Sequence, residues 1–157
     1  MIRPTIRAPR HSFSVATALL LLVFSACAGK DTEKDEADVR TTLESFYGAM
    51  RSADTTKAMA LIADGAMFVE GGRLETRDEY EKNHLPADIS FEKQVTGKRG
   101  PWNITFKDDT AWAIATTDYD GIFDGAPVAF TSAQLAVLTR EDAGWRIRSI
   151  HWSSRRR

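Results

Sequence analysis

Cysteine is almost absent from this 157-residue chain; Cys27 is the only one. That excludes an intrachain disulfide framework and a cysteine-based structural zinc site. Net charge is nearly absent too: 21 basic against 22 acidic residues leave −1. No basic excess is available to neutralise phosphates, which argues against nucleic acid as a partner. The apolar run Val15–Phe24 (VATALLLLVF) is too short for a mature membrane-spanning helix, which needs about 20 residues. No internal repeat, nucleotide-binding glycine loop or coiled-coil heptad occurs, and nothing calls for a cofactor. What is present is a 43% hydrophobic, 27% charged composition, the profile of one ordinary globular domain.

Arg3, Arg7 and Arg10 precede the apolar run with no acidic residue among them. A basic start, an apolar centre and then small residues is the order of a secretory signal peptide. Phe24-Ser25-Ala26-Cys27 resembles a bacterial lipobox, with Phe24 where Leu is usual. The resemblance implies a signal peptide over 1–26, lipidation of Cys27 and a lipid bilayer as partner through that residue. It also implies residence in the bacterial cell envelope. Ala28 after the cysteine resembles outer-membrane sorting, which implies a periplasm-facing domain. The alternative is an incidental thiol beside an ordinary cleavage site. Removing 1–26 takes away the three arginines, leaving 18 basic against 22 acidic residues, a net −4. Residues 28–38 (AGKDTEKDEAD) are small and charged without apolar periodicity, so 27–36 reads as a lipidated tether before a domain over 37–154. Arg155-Arg156-Arg157 reads as a short, solvated basic tail.

Val39, Leu43, Phe46, Tyr47 and Met50 form one stripe of an amphipathic helix. Asp54 predicts the N-cap of a second helix, with Ala58, Leu61 and Ile62 inward and Gly65 as its stop. Residues 66–70 alternate as a strand before Gly71-Gly72. Thr76-Arg77-Asp78-Glu79 is a capping box, predicting a third helix that Pro86 ends. Alternation of Ile89, Phe91, Lys93 and Val95 predicts a strand. Three more follow: one with Trp102, Ile104 and Phe106, one over 110–119 with Trp112 and Ile114, and a long one over 127–139. Residues 145–153 are the last strand. Asp118-Tyr119-Asp120-Gly121 fails the calcium-loop spacing and reads as a turn, as does Asp124-Gly125. Helices segregated beside antiparallel strands define an α+β domain.

This order, together with three segments, resembles the nuclear transport factor 2-like superfamily and its SnoaL-like domains. The segments are Tyr47–Asp54 (YGAMRSAD), Ala60–Asp64 (ALIAD) and Gly144–Ile147 with His151–Ser153 (GWRI, HWS). The resemblance implies a cone-shaped, curved antiparallel sheet packed against three N-terminal helices (a cystatin-like roll) with a deep pocket. It implies little about function, since this fold hosts enzymes, binding modules and assembly domains.

Glu70 falls where ketosteroid isomerase-like relatives keep a general-base carboxylate, and strand parity puts it on the face of Phe68. Against apolar walls such a carboxylate would be desolvated and its pKa raised. Gln134 falls near those enzymes' oxyanion donor and can offer an amide N–H. Their phenol aligns with Phe46, which has no O–H, and Tyr47 points about 100° away on a helix. His84 shares a helix face with Tyr80, and His151 shares strand parity with Trp145 and Ile147. Glu70, His84, Gln134 and His151 are the candidate catalytic residues. Glu70 with both histidines could form a two-histidine, one-carboxylate site, but no ligand spacing is present and no metal is assigned. Tyr47, Phe68, Tyr80, Trp112 and Phe130 are candidate ligand-binding rings. Three readings stay open: a binding module for a small, partly apolar molecule; an isomerase, cyclase or lyase using Glu70 as base; and a dimeric assembly domain.

Overall fold

The computed structural model describes residues 32–157; the signal segment, Cys27 and the first part of the tether lie outside the described residues. Helix α1 (Thr32–Arg51) leads into α2 (Thr55–Ala60), then β1 (Ile62–Glu70) and β2 (Arg73–Thr76). A helical segment follows: α3 (Arg77–Glu79), a π-helical turn (Tyr80–His84) and α4 (Leu85–Gln94). Strands β3 (Gly97–Arg99), β4 (Asn103–Lys107), β5 (Thr110–Phe123), β6 (Ala126–Glu141) and β7 (Gly144–Arg156) complete the chain. The helices stand against one face of a curved, open sheet, the α+β architecture expected.

Helix α1 buries Val39, Leu43, Phe46, Tyr47 and Met50, the stripe read from the sequence. It starts at Thr32, inside the expected tether. Buried Asp35 pairs with Arg140 of β6, and Glu36–Arg40 and Lys34–Asp38 are i,i+4 ion pairs. Charge pairing therefore holds a first turn that has no apolar period. Asp54 caps α2 by accepting from the Lys57 amide at 2.9 Å. That helix stops at Ala60, and Gly65 (φ +69°) lies within β1, where the register against β7 shifts.

The Thr76–Glu79 capping box forms, with both reciprocal hydrogen bonds. Pro86 does not end the helix. The π turn bonds the Leu85 amide to the Tyr80 carbonyl, and Pro86 enters the first turn of α4, where a missing N–H is harmless. The strand expected over 89–95 is therefore helical to Gln94. Leu85, Ile89 and Glu92, at i, i+4 and i+7, face inward, and the two-residue alternation was coincidental.

The strand order is β2-β1-β7-β6-β5-β3, with β4 also on β5. β1 runs parallel to β7 and the other neighbours are antiparallel, so the sheet is mixed. On β5 the inward residues are Ala111, Ala113, Ala115, Thr117 and Tyr119, and Trp112 and Ile114 face out. The alanines leave room for α1 and its large side chains. Asp118 and Asp120 lie on the outward side of the same strand, so 118–121 is not a turn. On β6 the inward residues are Ser132, Gln134, Ala136 and Leu138. On β7 a bulge at Arg148 shifts the pairing between Leu138–Ile147 and Val137–Ser149. Trp145 and Ile147 face inward before it; Ile150 and Trp152 face inward after it. Asp124-Gly125 turns β5 into β6 with positive φ at both residues, as a two-residue hairpin requires. The expected basic tail is ordered: Arg155 and Arg156 pair with β6, and Arg157 binds Asp120.

Candidate functional site

A half-open cavity of about 280 Å³ lies between α1, α4 and the inner face of the sheet. Helix α1 contributes Tyr47 and Met50, and α4 contributes Ala87, Asp88, Phe91 and Glu92. The sheet contributes Glu70, Tyr119, Phe123, Phe130, Ser132 and Trp152. Aromatic rings dominate the wall. Tyr119 stacks on Phe130 at 5.0 Å, and Phe91 meets Tyr119 and Phe123 edge-on at 5.1 and 5.2 Å.

His84, at the end of the π turn, gathers three carboxylates at one end of this cavity. Its Nδ1 lies 2.6 Å from Glu75, and its Nε2 lies 3.0 Å from Glu70 and 3.4 Å from Asp88. Asp88 first and Glu70 next hold the imidazole proton and raise the His84 pKa to about 11. At neutral pH the ring is an imidazolium donating from both nitrogens. Tyr80 O–H donates to the other Asp88 oxygen at 2.7 Å, which fixes that carboxylate. Burial raises the Tyr80 phenol well above its usual range.

A second polar chain crosses the interior. Trp152 Nε1 donates to Tyr47 Oη at 3.2 Å, and Tyr47 O–H donates to Gln134 Oε1 at 2.7 Å. Among the described residues, Gln134 Nε2 is buried without a partner. Arg99 lies 3.6 Å over the Tyr47 ring. Burial pushes both Tyr47 and Tyr119 upward in pKa. Tyr119 O–H donates to Glu92 at 2.8 Å, and Arg51 approaches the other Glu92 oxygen at 3.6 Å.

Of the candidate catalytic residues, Glu70 lines the cavity and His84 contacts it. Gln134 is buried beside the cavity on Tyr47. His151 is on the opposite face of the sheet: the Arg148 bulge reverses the parity that Trp145 and Ile147 suggested. Glu70, His84 and His151 therefore do not converge, and the two-histidine, one-carboxylate set is not assembled. Glu70 is also less enclosed than expected, with its side chain 42% exposed and its partner a cation. Among the candidate rings, Tyr47 and Phe130 line the cavity. Phe68 and Tyr80 stack at 3.9 Å within the core behind it, and Trp112 lies on the outer face. The sequence reading missed Glu75, Asp88 and Glu92. The His84–Asp88 spacing of one helical turn was the available signal; the strand assigned to 89–95 hid Glu92.

A sheet curved over an N-terminal helical layer, with a pocket between them, defines the nuclear transport factor 2-like class. The model of the SnoaL-like domain matches residues 39–156, and the chain belongs to that family. One similar structure, from Shewanella frigidimarina and provisionally assigned as a ketosteroid isomerase, shares 24% identity over 72% of this chain and 92% of its own, TM-score 0.68. A provisionally assigned dehydratase of the same superfamily from Streptomyces avermitilis shares 21% over 78% and 96%, TM-score 0.68. A CaMKII hub from S. rosetta shares 16% over 76% and 95%, TM-score 0.63. Among curated proteins none matches the chain.

Proposed function

We propose that this chain is a lipid-anchored envelope protein whose SnoaL-like domain binds a small, partly apolar molecule. The observation that carries the binding reading is the cavity of about 280 Å³, walled largely by aromatic rings with a few polar groups among them. Binding is favoured over turnover by the state of the polar groups. The Tyr47 phenol already donates to Gln134, so it is not free to meet a developing oxyanion. His84 holds its proton far above neutral pH, so it neutralises carboxylates instead of shuttling protons. A thermal-shift screen of single-ring compounds tests this reading. Hits should raise the melting temperature of the natural protein and lose that effect in Ala87→Trp, which fills the cavity mouth. A screen without hits, or hits unaffected by the filled mouth, would defeat it.

The lipobox-like segment supports anchoring through Cys27. Radiolabelled palmitate fed to producing cells should label the natural chain and leave Cys27→Ser unlabelled; equal labelling of both removes the anchor.

A second reading, self-association, is favoured by the outer face of the sheet. Strand pairing sets Leu74, Val69, His151, Leu135 and Ile114 in one row across five strands, with Met67, Val137 and Trp112 in the next. Leu74 is 65% exposed, Ile114 48% and Leu135 39%. An apolar band on the outer face, broken by His151 and Ser149, is a contact surface for a second copy.

A further inference from the structure

The charge of the cavity end is unbalanced. Glu70, Glu75 and Asp88 surround one imidazolium, and the nearby guanidinium, Arg73, makes no ion pair with them among the described residues. Counting Arg73 with His84, three anions still face two cations. Glu92, the remaining carboxylate on the wall, is matched by Arg51. Among the described residues, no lysine or arginine lines the cavity itself. Glu70 and Asp88 both reach the same imidazole nitrogen, so their carboxylates converge at one spot, and both residues line the cavity. Much of the remaining wall is aromatic: Trp152, Phe91, Tyr119 and Phe130. Carboxylates beside aromatic faces attract a cation through both charge and ring quadrupole, and repel an anion.

We propose that the ligand is a compact organic cation: an ammonium group on a single-ring apolar body. The ammonium meets Glu70 and Asp88, and the ring lies among Trp152, Phe91 and Phe130. This rests on the pocket-binding reading and assigns its ligand class. A cavity of about 280 Å³ suits one ring.

Three probes of matched shape decide it: tyramine (cation), tyrosol (neutral alcohol) and 4-hydroxyphenylacetate (anion). Calorimetric titration of the full chain in detergent should find tyramine bound roughly tenfold or more tighter than tyrosol, and the anion weakest. The advantage of tyramine over tyrosol should shrink with added salt and in Glu70→Gln and Asp88→Asn. Glu70 is partly exposed, so its variant folds even where the Asp88 variant does not. Tyrosol equal to tyramine, or the anion tightest, overturns the charge assignment while leaving a working pocket. Binding of none of the three also overturns it, and the wider screen with its blocked-mouth variant then judges the pocket reading separately.

Discussion

His84 donates from both ring nitrogens to carboxylates, and this has a pH signature. Its pKa is raised in the folded protein from the ordinary 6.5 to about 11, chiefly by Asp88 and Glu70. A group with a raised folded pKa stabilises fully below its unfolded pKa and loses that contribution as pH climbs to the folded one. Stability should therefore decline between about pH 6.5 and pH 11. His84→Gln should remove that slope in urea titrations taken along the pH axis; an identical slope in both proteins would show that the cluster does not hold a proton. Residue-scale chemistry was partly legible beforehand. Glu70 could be placed on the inward face because it follows Phe68 by two positions on an unbroken stretch of strand. His151 could not, because a single extra residue, Arg148, inverts the alternation, and no local composition announces that bulge.

Among the elements, the shortest strand, β3, is closely packed at its first residue. Gly97 opens β3, and a Cβ there would stand 2.5 Å from Thr117 Cγ2 and 2.5 Å from Tyr119 Cε1. Tyr119 is buried, stacked on Phe130 and bound to Glu92, so its ring has little freedom to yield. Gly97→Ala should destabilise the domain by roughly 1–3 kcal/mol through overpacking and should weaken ligand binding as Tyr119 shifts. Chemical denaturation and probe titration of the same variant check both; a change within error would mean the sheet edge relaxes freely. Capping chemistry at Asp54 and Thr76 and the turn at Asp124-Gly125 were readable, because they involve neighbours in sequence. The helical state of 89–94 was not. Ile89, Phe91, Lys93 and Val95 satisfy a strand's alternation while Leu85, Ile89 and Glu92 satisfy a helix's period, and only packing against α1 and the sheet chooses between them.

At the scale of the molecule, the two faces of the sheet have different destinies. The inner face is covered by helices and the cavity, and the outer face carries the apolar row through Leu135. Light scattering should find dimers of the natural chain, and Leu135→Glu should weaken association by roughly tenfold or more, since a carboxylate would be desolvated in the contact. A monomer at every concentration would sink that reading. The sequence alone determined the α+β class, the family, the inward stripe of α1 and the end of β1 on which Glu70 sits. The class, the stripe and the strand end follow from periodicity or from contacts between near neighbours, and the family from the resemblance of a few short segments. Tertiary structure alone decided that His84 would meet Glu70, Glu75 and Asp88, that Trp112 and His151 would face outward, and that Gln134 would hold a buried donor unpaired among the described residues. Those outcomes depend on bulges, on strand register and on the π turn that carries the helix past Pro86. Such features arise from long-range packing, which no short window of residues encodes.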